Sequence, residues 1–137
     1  MATNIEELDN APGGRRIIDS YGGRSLHEQS HGESFLSLIV NRFGPEGLYV
    51  LDEPEAALSL RGNLALMRRM HDLIAGGSQF VVSTHSPILL GYPQARIYVL
   101  SEDGITQSRY EDTEQYELTR SFLDDRDRFL HHLFADE

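Results

Sequence analysis

The chain contains no cysteine, no lysine and no long apolar run. Without cysteine there is no disulfide, no thiolate metal site and no cysteine nucleophile. All 12 basic residues are arginine. These residues therefore hold no phosphate-binding loop of the GxxxxGK[ST] type, and no Schiff-base or general-base lysine. No apolar stretch approaches the ~20 residues that span a bilayer, and Met1 to Asn10 is too acidic and polar for a signal peptide. A cytoplasmic protein with no membrane partner is the expectation. Positive charge is scarce as well: 22 acidic residues against 12 arginines leave a net charge of −10. Such a chain does not grip a nucleic-acid backbone unaided, so nucleic acid would be reached only through a larger complex. The 39% hydrophobic and 25% charged content over 137 residues fits one soluble globular domain or a piece of a larger one.

What is present is organised around Gly47-Leu48-Tyr49-Val50-Leu51-Asp52-Glu53-Pro54. A short uncharged run of this kind suits a strand buried on both faces of a parallel sheet. Charge cannot continue inside it without a steep desolvation cost. Asp52 and Glu53 are thus expected at the strand's carboxyl end, where α/β sheets place their ligands. Pro54 bars further pairing and turns the chain away. Two acids at a strand tip suggest a carboxylate that handles Mg²⁺ beside a general base. The plainer alternative is an ordinary strand end with solvated acids.

Residues 1–22 read as a loop or tail, with Pro12, Gly13-Gly14 and Gly22-Gly23 and only Ile17-Ile18 to bury. Ser30 with Glu33 forms a capping box ahead of a helical pattern at Phe35, Leu36, Ile39, Val40 and Phe43, closed by Gly44-Pro45. A helix that opens on serine and glycine presents bare N–H groups to an anion. After Pro54 a short loop, Glu55 to Ser59, leads into a helix from Leu60 to Ala75. Its expected core face is Leu60, Leu64, Met67, Met70 and Ile74, and Gly76-Gly77 caps it. Phe80 to Thr84 is a second buried strand ending in Thr84-His85-Ser86-Pro87. Strand, helix and strand over this length form a parallel crossover, so Asp52-Glu53 and His85 open on the same sheet edge. Ala95 to Leu100 is a third strand, turned at Glu102-Asp103-Gly104 into Ile105 to Ser108. Glu111 to Glu114 starts a helix with Tyr116, Thr119, Phe122 and Leu123. Asp124-Asp125 caps a last amphipathic helix with Phe129, Leu130, Leu133 and Phe134.

These stretches, in this order, resemble the motifs of the ABC ATPases. Ser30-His31-Gly32-Glu33-Ser34 is similar to the signature, usually Leu-Ser-Gly-Gly-Glu. Leu48 to Pro54 resembles Walker B, Ala56 to Ser59 sits where the D-loop follows, and Ser83 to Ser86 matches the switch-histidine loop. Glu-Pro-Glu-Ala-Ala-Leu-Ser and Thr-His-Ser-Pro-Ile-Leu-Leu resemble soluble bacterial ATPases of the SMC-like, recombination-type (AAA-like) kind rather than transporters. The likeness covers about residues 20 to 134.

The resemblance implies an α/β, three-layer P-loop NTPase fold with an incomplete parallel sheet, then a β-hairpin and helices. Residues 23–137 would be the C-terminal half of such an ATPase domain. It further implies ATP and Mg²⁺ as ligands. Asp52 would hold the ion and Glu53 would be the general base. His85 would contact the γ-phosphate and the attacking water. Ser30, His31, Gly32 and Glu33 would grip ATP bound to an opposing protomer, and Ser59 would cross that nucleotide-sandwich dimer. Family D-loops often carry aspartate where Ser59 stands, and His31 replaces a signature glycine. Such ATPases begin with a P-loop strand that these residues lack, and phosphoryl transfer depends on its lysine and cradle. The partner implied is a P-loop-bearing half or second protomer, without which the chain is expected not to hydrolyse ATP. A non-catalytic dimerisation or regulatory module is the alternative. Metal-dependent phosphohydrolase or nuclease chemistry at Asp52, Glu53 and His85 is a third reading, short of the further carboxylates that hold metal pairs.

Overall fold

A computed structural model describes residues 31–136, with side chains from Ser34 onward. The expected tail at residues 1–22 and the cap at Ser30 lie outside the described residues. The chain divides into two units, one ending at Thr84 and the other beginning at His85.

The first unit contains α1 (His31–Arg42), β1 (Leu48–Asp52), a 3-10 turn at Pro54–Ala57, α2 (Leu60–Ala75) and β2 (Gln79–Ser83). β1 and β2 pair in parallel, from Leu48 opposite Gln79 to Asp52 opposite Ser83. α1 packs on α2, and α2 packs on β2. Ile39 of α1 and Leu66 of α2 are both 0% exposed, and Leu51, Met70 and Leu73 are also buried.

Two expectations are corrected here. The strands are buried on one face: Tyr49, Leu51, Phe80 and Val82 turn inward, while Leu48, Val50 and Val81 are exposed, Val50 to 72%. Within this unit α1 and α2 supply the helical layer, and a two-residue side-chain period puts alternate positions on the other side. In α2 the buried stripe is Gly62, Asn63, Leu66, Met70 and Leu73. Of the expected face, Leu60, Leu64 and Ile74 are exposed and Met70 is buried. The helix carries two apolar stripes about 100° apart, one residue's rotation. At its start the buried stripe meets the preceding turn: a Cβ on Gly62 would lie 3.1 Å from Leu58, and the Asn63 side chain donates to the Ser59 carbonyl.

The amino end of the sheet is closed by polar contacts. Phe43 stacks on Tyr49 with centroids 4.0 Å apart, and Tyr49 meets Phe80 at 5.2 Å. The Tyr49 hydroxyl donates to the Gly44 carbonyl at 3.0 Å and accepts the Gly44 N–H at 2.7 Å. Ser78 Oγ donates to the same carbonyl at 2.8 Å and accepts the Gly47 N–H at 3.1 Å. Backbone groups in the Gly44–Gly47 turn are thus satisfied without a strand ladder.

The second unit has a 3-10 turn at Leu89–Gly91, β3 (Ile97–Ser101), β4 (Gly104–Ser108), a 3-10 turn at Tyr110–Asp112, α3 (Glu114–Asp124) and α4 (Arg126–Leu133). β3 starts two residues later than expected and forms the expected antiparallel hairpin with β4. Gly104 turns the hairpin at φ +116°, a conformation that costs glycine little. Thr113 and Asp125 cap α3 and α4 by accepting the N–H groups of Tyr116 and Arg128. Tyr110 donates to the Pro87 carbonyl at 2.5 Å and meets Tyr116 edge-on at 4.9 Å. Phe122 and Phe129 meet at 5.5 Å. Leu123, Leu133 and Phe134 are exposed.

Candidate functional site at the carboxyl end of the parallel strands

β1 ends in its charged residues. Asp52 is the last residue of the strand and lies opposite Ser83, on the same face as Leu48 and Val50. Glu53 adds one more rung, its N–H donating to the Ser83 carbonyl at 2.7 Å. It then leaves the strand in the left-handed region, at φ 46°, ψ 53°. That conformation is uncommon for a residue with a Cβ, and such outliers cluster at functional sites. Pro54, buried and without an N–H, opens the 3-10 turn, and the Ala56 N–H closes it onto the Glu53 carbonyl at 3.1 Å. Both Asp52 and Glu53 are exposed.

The turn is fastened to the neighbouring strand by residues whose pairing the sequence does not announce. Thr84 Oγ1, one residue past β2, donates to the Glu55 carboxylate, at 2.7 Å from Oε1 and 2.5 Å from Oε2. The only signal was local: a second acid after Pro54, and a hydroxyl residue beside His85.

α1 starts at this same end of the unit. Its last turn joins β1's first residue through Gly44–Gly47, so helix and strand run in opposite directions. Twelve helical residues and five extended ones have nearly equal lengths, about 17–18 Å. α1 also packs against Pro54–Ala57. His31, Gly32 and Glu33 open this helix, while their side chains and Ser30 lie outside the described residues. Ser59 serves as the N-cap of α2, its Oγ accepting the Gly62 N–H at 3.1 Å. Its backbone carbonyl also receives the Asn63 side-chain N–H at 2.9 Å. His85 is exposed and opens the second unit.

Chemically, the strand end offers carboxylate oxygens to solvent. Such hard donors fit Mg²⁺, which takes one or two carboxylates and fills its remaining positions with phosphate oxygens and water. Among the described residues no group of three or more His, Asp or Glu converges as a metal cage, the set that a two-metal hydrolase gathers. None of the described helices is long and apolar enough to cross a membrane.

No family model matches the chain. Curated relatives match it in part. The cytochrome c biogenesis ATP-binding export protein CcmA of Rhodopseudomonas palustris (strain BisB5) is 42% identical over 60 residues, 44% of this chain and 28% of that protein. The chromosome partition protein Smc of Methanocaldococcus jannaschii is 29% identical over 105 residues, 73% of this chain and 8% of that protein. The likeness therefore extends to an export protein as well as to the SMC-like side. In each case the matched stretch spans under a third of the relative's length. Through these partial homologies the chain is related to the ABC-type ATPases.

Proposed function

We propose that the chain contributes the carboxylate edge of an ABC-type ATP-hydrolysing site, with the P-loop supplied by another segment or another protomer. The observation that carries this reading is the end of β1: Asp52 and Glu53 emerge together, and Glu53 itself is held in the left-handed conformation that turns the chain into Pro54–Ala57. In this reading Asp52 holds Mg²⁺, which neutralises phosphate charge when bound. Glu53 polarises the attacking water as general base. His85 contacts the γ-phosphate. Ser30, together with His31, Gly32 and Glu33 that open α1, grips the phosphate of a nucleotide on the opposing protomer, the helix supplying N–H groups. Ser59 lies toward that interface, and its capping of α2 leaves a lone pair and its proton for a partner. The finer fold is a P-loop NTPase sheet in which the two parallel strands are one part. Support comes from the α/β crossover, the shared end of β1, β2 and α1, and the ABC relatives.

The bare sheet face at Leu48, Val50 and Val81 also favours a second reading, an association or regulatory module without turnover. ATP binding and hydrolysis, measured for the chain alone and mixed with a P-loop-bearing segment, separate the two. The proposal expects no turnover alone, turnover in the mixture, and its loss in Glu53→Gln. Turnover by the lone chain that depends on Glu53 would refute the need for a partner. Failure of every such mixture would favour the module.

A further inference from the structure

A non-glycine residue in the left-handed region persists where its surroundings over-determine it. Glu53 is held from both sides. Its N–H is bonded to Ser83, and its carbonyl receives Ala56. Two residues on, the Glu55 carbonyl receives the Leu58 N–H at 3.0 Å, while the Glu55 carboxylate takes the Thr84 hydroxyl. The backbone bonds are of ordinary strength. The Thr84 bond has a charged acceptor, is short and partly buried, and belongs to the stronger class. It is also a side-chain tie between the turn and the end of β2, where Ser83 holds Glu53 from the other side.

We infer that Thr84 and Glu55 are a positioning pair: their bond holds the turn that carries Glu53 and so aims the Glu53 carboxylate. Only the catalytic consequence rests on the reading of Glu53 as general base; the holding of the turn rests on the geometry. Neither residue is assigned contact with nucleotide or water.

Amide hydrogen exchange of the whole chain, read by NMR at Ala56 and Leu58, tests it. Thr84→Val and Glu55→Ala remove the bond, whereas Thr84→Ser and Glu55→Gln keep a hydroxyl donor and a carbonyl acceptor. Exchange is expected to rise roughly tenfold or more in the first two variants, the equivalent of losing one hydrogen bond to a charged acceptor. It should stay near wild type in Thr84→Ser and rise by a smaller factor in Glu55→Gln, whose neutral carbonyl is the weaker acceptor, with the amides of α2 unchanged throughout. If packing rather than the hydroxyl held the turn, Thr84→Val would be silent and Thr84→Ser would not, and the inference would be overturned. In an assembly that turns over ATP, kcat should fall about tenfold in Thr84→Val and Glu55→Ala, with KM unchanged, and recover fully in Thr84→Ser and in part in Glu55→Gln. An unchanged kcat in the first two also overturns it. Absence of turnover in the wild-type assembly would count against the ATPase reading instead, and the exchange result would still decide the inference.

Discussion

The left-handed turn at Glu53 has a measurable energetic sign. At φ 46°, ψ 53° a Cβ crowds the following carbonyl, at a cost of about 1–2 kcal/mol. Glycine escapes that cost but loses about 0.5–1 kcal/mol more backbone entropy on folding. Midpoints of about 1.5 and 0.75 leave roughly 0.75 kcal/mol in favour of glycine. At an ordinary position the order is reversed, with alanine better by about 0.4–1 kcal/mol. The informative comparison is therefore Glu53→Gly against Glu53→Ala. Both lack the carboxylate, so every interaction of that group cancels and the backbone term remains. Ala65→Gly, on the exposed side of α2, is the control and should destabilise by about 0.5–1 kcal/mol. Urea unfolding followed by circular dichroism reads all of these. With slopes of about 1–3 kcal/mol/M, a 0.75 kcal/mol difference moves the midpoint by roughly 0.25–0.75 M. Glu53→Gly should unfold at higher urea than Glu53→Ala. If alanine equals or exceeds glycine at 53, the left-handed turn is not a strained feature, and the argument that strain is maintained there for the carboxylate's sake fails.

Three other perturbations follow from the packing. Gly47→Ala would place a Cβ 2.6–2.7 Å from the Tyr49 ring and hydroxyl. Displacing that ring forfeits two hydrogen bonds and a stack, about 1.5–4.5 kcal/mol together; in a Tyr49→Ala background the same substitution should be nearly silent, and equal costs in both backgrounds would refute the clash. Leu66→Ala should cost about 2–5 kcal/mol, whereas Val50→Ala, on the bare sheet face, should stay within about 0.5 kcal/mol in the lone chain when both are compared by urea midpoint. Burial, with help from Tyr116 and Glu111, raises the Tyr110 pKa above its ordinary value of 10.0. The folded state thus keeps that proton longer than the unfolded chain does. The resulting stability is full below pH 10 and is lost as pH rises through the folded value. Tyr110→Phe should flatten that alkaline loss in a pH series of melting temperatures, and an unchanged slope would remove Tyr110 as its source.

What was legible in the sequence is what chemistry punctuates. Asp52-Glu53-Pro54 marks the end of β1 because charge cannot be buried in a strand and proline cannot extend one. Gly104 marks the hairpin because its φ excludes most other residues. The limits of α2 were readable from Gly76-Gly77 and from the apolar period, although Ser59, read as a D-loop residue, turns out also to be the cap. The phase of α2 was not readable. Leu60, Leu64 and Met67 make as good a helical stripe as Leu66, Met70 and Leu73, and only the choice of what lies against the helix separates them. The link between Thr84 and Glu55 was hidden for a similar reason: residues 29 apart meet through strand register, which no local pattern encodes. The misread phase of α2 and the bare face of β1 and β2 have one cause. In a chain of net charge −10, exposed Leu48, Val50 and Val81 on the strands, and Leu60 and Leu64 on α2, are apolar surface that one helical layer does not cover. Val50 stands on the strand face that ends in Asp52. Its substitution by aspartate should therefore be tolerated by the lone chain yet block assembly with a P-loop-bearing partner, and assembly that survives it would show that this face is not where the site is completed.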